Sequence, residues 1–234
     1  MKKSLLVLAL LSAFAPVLAQ AEAGDWVVRV RAASVSPDEK SKLGSIGRTA
    51  FPTLISSGAT LSVDNNVIPE LDISYYITKN IAMELILATG TRHDVSITNN
   101  TIGLLNQPLG SVNILPPTLT AQWHFNPDQM IDPYVGAGGA FVLGLDRKLN
   151  GHVTALSADL PIRIDRSAFG AVLQAGFDVN LQDKWLVNFD VKKIWFNTDV
   201  KIDATGAQTL TGYQKIDNLD INPLVVSVGI GKKF

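Results

Sequence analysis

Leu115–Leu145 reads LPPTLTAQWHFNPDQMIDPYVGAGGAFVLGL, and its first half decides the fold. Leu119, Ala121, Trp123 and Phe125 fall on one side of an extended chain, and Thr118, Thr120, Gln122 and His124 on the other. A period of two with unlike faces belongs to a β-strand. The polar turn Asn126-Pro127-Asp128-Gln129 follows, and a second extended run starts at Tyr134. Trp123, Phe125 and Tyr134 crowd around that turn. A strand in a soluble protein sends its apolar face into a core and has no reason to collect aromatic rings at its end. A strand crossing a bilayer sends that face into lipid and sets aromatic rings at the headgroup level. The hairpin reads as the second kind, with all three rings at the interface.

Composition agrees. The chain has 234 residues, of which 18% are charged and 47% hydrophobic. Its one continuous apolar run, Leu5 to Leu11 and loosely on to Leu18, is too short to cross a bilayer as a helix. A membrane barrel hides apolar residues at alternate positions, so modest average hydropathy suits it. With a formal net charge of -1 and no basic block, nothing points to nucleic acid as a partner. The absence of cysteine excludes disulfides, thiolate catalysis and cysteine-ligated metal, and no cofactor is expected.

Residues 1–23 read as a secretory signal peptide. Lys2 and Lys3 precede an apolar segment, and small residues at Ala19, Ala21 and Ala23 offer cleavage after Ala21 or Ala23. The single domain then runs from 24 to 234. Alternating runs begin at Trp26, Val67, Ile81, Thr118, Tyr134, Phe169, Trp185 and Leu224, which gives eight strands. Their connections alternate between long and short. Polar segments at about 36–66, 93–111, 146–164 and 201–214 read as large loops, and tight turns fall near Lys79, Asp128 and Asp183. Even strand number, short periplasmic turns and long extracellular loops describe an outer-membrane barrel. Backbone groups in hydrocarbon must all be paired, so the sheet closes on itself. The expectation is an all-β, eight-stranded antiparallel transmembrane β-barrel. A soluble sandwich or lipocalin-like barrel would not explain the alternation of loop lengths.

These segments together resemble the OmpW family of small outer-membrane barrels, which includes AlkL-type importers of alkanes. The resemblance rests on Gly24-Asp25-Trp26, Thr78-Lys79-Asn80-Ile81-Ala82 with Glu84-Leu85, and Arg92-His93. It continues through Leu115-Pro116-Pro117-Thr118-Leu119 with Ala121-Gln122-Trp123, Asp132-Pro133-Tyr134-Val135-Gly136-Ala137-Gly138, Trp185-Leu186-Val187-Asn188, Asn222-Pro223 and the terminal Phe234. Lys232 departs from it, standing where these barrels usually carry an aromatic residue. The resemblance implies a narrow, largely apolar passage through which small hydrophobic molecules enter from outside and leave sideways into the membrane. It also implies outer-membrane lipid and lipopolysaccharide as surroundings, the barrel-assembly machinery as a partner through Phe234, and a monomer.

The inward faces carry Arg29, Arg31, Asp72, Glu84, Gln122, His124, Gln174, Asp178, Asn188, Asp190 and Lys192. Mixed signs suit either a satisfied polar plug or a continuous ion path. Toward the loops, Ile86, Ala88, Ile194 and Phe196 point inward and suit a greasy solute or plain packing. Pro116 and Pro117 cannot donate ladder hydrogen bonds, so they either open the wall or merely end a strand. A non-enzymatic barrel is expected, although His93 beside Asp94 and Ser96, and His152 near Ser157 and Asp159, are residue types used in acid–base work. The alternative to transport is a structural or recognition barrel that displays its loops, with Ile102-Gly103-Leu104-Leu105 as an apolar contact patch.

Overall fold

A computed structural model describes residues 22–88, 91–102, 107–153, 158–203, 205 and 212–234. Residues 1–21 of the expected leader lie outside the described residues. In chain order the elements are β1 (Trp26–Ser36), α1 (Leu43–Ala50), β2 (Thr60–Val63), β3 (Asn66–Tyr76), β4 (Ile81–Ala88), β5 (Thr91–Thr98), β6 (Gln107–Leu115), β7 (Thr118–His124), β8 (Ile131–Asp146), β9 (Lys148–Val153), β10 (Ala158–Ile164), β11 (Ser167–Asn180), β12 (Trp185–Trp195), β13 (Asn197–Asp203), β14 (Tyr213–Asp220) and β15 (Leu224–Lys233).

Eight of these strands close into a ring in the order β11–β12–β15–β1–β3–β4–β7–β8, with β8 pairing back onto β11. Every pair in the ring is antiparallel. The chain ends seal the seam: the Phe234 amide donates to the Trp26 carbonyl at 2.8 Å, and the Trp26 amide to the Phe234 carbonyl at 3.3 Å. Both termini share one end of the barrel with the tight turns. In the turn after β11, Asp183 and Lys184 adopt positive φ. The alternation therefore predicts the ring and its strand number correctly.

The apolar face of each strand is turned outward. Val30, Leu71, Leu85, Leu119, Leu173 and Val228 are exposed around the wall. Trp26, Tyr75, Trp123, Phe125, Trp185 and Phe234 ring the end with the short turns, and Phe141, Phe169 and Trp195 the opposite end. An outward apolar band between two aromatic girdles is what a bilayer requires of a barrel. The Lys232 ammonium lies 5.1 Å over the Trp185 ring, so its charge sits at the girdle rather than in the apolar band. Tyr134 corrects the expectation. It stands opposite His124 in the ladder, so it shares that residue's inward face and is buried.

The segments read as polar loops are also largely ordered. β5 and β6 form a hairpin that carries β2 at its edge, and β14–β13–β10–β9 form a second, four-stranded sheet. They close over a hydrophobic core of their own, which includes Leu43 of α1, Leu61, Ile97, Leu149, Ile162 and Ile202. Each segment hides a pair of apolar residues two apart: Val95 and Ile97, Leu160 and Ile162, Val200 and Ile202. Those pairs supply the buried faces of short strands, and the residues between them, Ser96, Pro161 and Lys201, lie on the other face.

Candidate functional site

The barrel interior is layered. In the half nearer the tight turns, acids and bases interleave in direct contact. Arg29 reaches Asp178 at 2.6 Å, Asp72 at 3.3 Å and the Ser74 hydroxyl at 2.7 Å. Arg31 reaches Asp72 at 2.8 Å, Glu70 at 3.2 Å and Glu84 at 3.4 Å. Lys192 pairs with Asp190 at 2.5 Å and with Glu70 at 3.6 Å. The Gln174 amide donates to Glu84 and to Asp190, both at 2.7 Å, and Asn188 donates to Asp178 at 2.8 Å. All of these side chains are buried. A buried charge without a partner is very costly; here partners arrive from five different strands.

Two features of this network escape the sequence reading. Tyr134 donates its hydroxyl to Asp190 at 2.7 Å and accepts from Asn188 at 3.0 Å. Tyr76, His124 and Tyr134 follow below as tilted rings, with centroids 5.0 Å apart at each step. His124 Nδ1 lies 2.7 Å from an Asp132 carboxylate oxygen and 3.2 Å from the Tyr76 hydroxyl. Glycine makes the second feature. A Cβ at Gly229 would sit 2.6 Å from Cγ of Arg31, and one at Gly231 would sit 2.7 Å from Cγ of Arg29. The closing strand thus gives room for both arginine stems. The spacing Gly229-x-Gly231, on the inward face of the last strand, is the signal that could have revealed it.

Above this layer the lining changes character. A cavity of about 100 Å³ is bounded below by Glu70 and Lys192. Its wall is mainly apolar, with Ile86, Ala88, Ile194, Phe196, Val142 and Val225 among the lining residues. Higher up it meets Leu61, Val95, Leu149 and Val200, which belong to the core of the extracellular strands. The expected upper-lumen residues therefore come together around one space.

Pro116 lines the same cavity. The ladder between β4 and β7 stops at Ile86 opposite Thr118, and the ladder between β5 and β6 resumes at Thr91 opposite Ile114. Between them Leu115, Pro116 and Pro117 pair with no residue of β4 or β5. On the other side the chain stays attached, because the Phe141 amide donates to the Pro117 carbonyl at 2.9 Å.

The remaining candidates are dispersed. His93 Nδ1 meets the Asp64 carbonyl at 3.0 Å rather than Asp94 or Ser96. His152 pairs with Asp159 at 2.7 Å on the exposed side of β9 and β10, while Ser157 lies outside the described residues. Of the patch Ile102-Gly103-Leu104-Leu105, only Ile102 is described, and it is exposed. Among the described residues no group of three or more histidine or acidic side chains could hold a metal ion.

A closed barrel with an outward apolar band, aromatic girdles, tight turns at one end and long excursions at the other is an outer-membrane β-barrel protein. Comparison with known sequences narrows this: residues 22–234 match the OmpW family, and the chain belongs to it. Outer membrane protein W of Vibrio cholerae is 32% identical over 238 residues, covering 100% of both chains. Outer membrane protein AlkL of Ectopseudomonas oleovorans is 26% identical and covers 90% of this chain and 83% of its own. The crystal structure of the outer membrane protein OprG from Pseudomonas aeruginosa superposes with a TM-score of 0.75 at 25% identity, covering 91% of this chain and 97% of that one. The protein is thus located in the bacterial outer membrane.

Proposed function

We propose that this barrel admits small hydrophobic molecules from outside into the apolar cavity and releases them sideways through the seam at Pro116 and Pro117. One observation carries the reading: an interruption of the ladder beside that cavity is lined by Pro116, while the floor of the cavity is an ion-paired layer. An apolar solute gains by leaving water for such a space, at about 25 cal/mol per Å² of buried apolar surface. A cavity lined by aliphatic and aromatic side chains, of roughly 150 Å³, stays dry and takes up benzene. The cavity here is of that order and continues upward between apolar side chains. The mixed charges of the lower lumen act, on this reading, as a plug. The barrel needs no partner to cover its edges, which supports a monomer, and Phe234 at the seam is the group offered to the assembly machinery.

The test is uptake of a labelled medium-chain alkane by cells lacking the protein and by cells with it restored, with a small sugar as the control solute. Restoration should speed alkane uptake only. Ala88→Trp places an indole in a cavity of about 100 Å³ and should abolish the gain while the barrel remains inserted. Equal uptake in all strains, with inserted protein present, would refute the proposal.

A further inference from the structure

The outer face of the four-stranded sheet carries cations in one register row. Lys148 stands opposite Arg163, Arg163 opposite Lys201, and Lys201 opposite Lys215. Like charges directly opposite each other across strands are destabilising unless something answers them. Within the chain two are answered: Lys201 bonds Asp165 at 2.7 Å, and Lys215 bonds Asp199 at 2.6 Å. Lys148 and Arg163 are in no ion pair with any described residue. Arg163 lies 4.5 Å over the Tyr213 ring and acts on Asp203 only at longer range. Exposed Arg166 adds a further cation in no ion pair with a described residue, and Arg147 donates to the Ile164 carbonyl at 3.1 Å. Leu145, Asp146, Arg147, Lys148 and Arg163 line a surface depression of about 280 Å³. Asp146 is the one acid among them, and it accepts a hydrogen bond from the Lys148 amide at 3.4 Å.

The position of this depression singles out one occupant. Leu145 and Phe141 of β8 and Phe169 of β11 are 61%, 48% and 74% exposed on the lipid-facing wall. Lys148 follows Leu145 by three residues, roughly 10 Å along a strand. The cations thus begin where the apolar band ends, at the extracellular headgroup level. An anion there would meet arginine forks suited to phosphate, and its acyl chains would lie along Phe141 and Phe169.

We propose that Arg147, Lys148, Arg163 and Arg166 form a binding site for the phosphate groups of the outer-leaflet glycolipid. The site answers the charges that the sheet leaves unanswered. It is independent of whether solute passes through the barrel.

The full mature barrel in detergent should be titrated with bisphosphorylated lipid A, with enzymatically dephosphorylated lipid A and with inorganic pyrophosphate, and bound species counted by native mass spectrometry. The bisphosphorylated lipid should bind at least tenfold more tightly than the dephosphorylated one. Lys148→Gln with Arg163→Gln should weaken it about 30-fold, from about a fivefold loss per cation near an anionic lipid surface. Lys79→Gln, at a tight turn on the far end, should leave it unchanged. Both variants should keep the heat-modifiable gel migration of a folded barrel, since the double variant relieves a like-charge opposition. Equal affinity for the two lipids, or an unchanged constant in the folded double variant, would overturn the proposal. Pyrophosphate binding as tightly as the lipid would overturn it in favour of a soluble anion.

Discussion

Replacing Arg29 by methionine tests whether the polar layer holds the barrel together. Arg29 is fully buried, and its guanidinium serves Asp178 at 2.6 Å, Asp72 at 3.3 Å and Ser74 at 2.7 Å. After the substitution Asp72 still has Arg31 at 2.8 Å. Asp178 keeps the Asn188 amide at 2.8 Å but loses the guanidinium it pairs with at 2.6 Å. Breaking one side of a buried pair in this way costs about 3–5 kcal/mol. The exposed pair of Lys79 with Asp128 at a tight turn is the contrast, since removing a solvent-exposed pair costs at most about 1 kcal/mol. The assay is urea unfolding of the barrel in lipid vesicles, followed by tryptophan emission. With a denaturant slope of about 2 kcal/mol per molar, Arg29→Met should lower the midpoint by roughly 2 M and Lys79→Ala by less than about 0.5 M. Adding Asp178→Asn to Arg29→Met removes the stranded charge and should recover most of the loss. A loss below about 1 kcal/mol in the single variant, or no recovery in the double, would refute the argument that ion pairing governs this layer.

Two further outcomes follow from the same geometry. A Cβ at Gly138 would lie 1.9 Å from the Leu119 carbonyl oxygen and 2.7 Å from Cα of Thr120, so Gly138→Ala must push β7 off β8; it should cost about 1–3 kcal/mol in the same unfolding assay, whereas Gly58→Ala, whose Cβ meets only Asn99 oxygen at 3.5 Å, should be tolerated. In the extracellular sheet the Lys215 ammonium holds the Asp199 carboxyl below its usual range; a depressed folded-state value stabilises above the unfolded value near pH 3.9 and that gain is lost as pH falls through the folded value, so acid should speed proteolysis of the β13–β14 hairpin, by less than about 1 kcal/mol of protection, and Lys215→Met should blunt that acid response.

The parts of this structure that repeat every two residues were legible in the sequence. Leu119, Trp123, Leu173 and Val228 face outward as their alternation predicts, and Arg29, Glu84, Gln122 and Asp190 face inward. Tyr134 was misplaced because residue type was weighed above parity: an aromatic near a turn reads as an interface anchor, but its register partner His124 fixes it inside. The extracellular strands were missed for a different reason. Val95 with Ile97 and Val200 with Ile202 are pairs too short to stand out from polar neighbours. They gain a core only when brought together with Leu43 and Leu149 from distant segments. Partner choice in the ion-paired layer is likewise a property of closure, since Arg29 and Asp178 are 149 residues apart.

The layering also explains why a proposed route for apolar solute would leave through the wall rather than the floor. Passage downward requires separating Arg31 from Glu70, Asp72 and Glu84, and each buried charge stripped of its partners costs several kcal/mol. Opening a regular seam of the barrel is no easier, because every ladder amide and carbonyl exposed to hydrocarbon also costs several kcal/mol. Among the described residues no ladder pairing joins Pro116 or Pro117 to β4 or β5, so that cost is absent there. Pro116 and Pro117 have no amide hydrogen to strand, and the Pro117 carbonyl is occupied by Phe141 from the opposite side. Widening this seam therefore breaks no β4–β7 hydrogen bond at all. On this argument Pro116 is required for its missing donor, so Pro116→Ala should restore an amide on the β4 side, favour pairing toward Ala88, and slow alkane release without disturbing the ion-paired layer beneath.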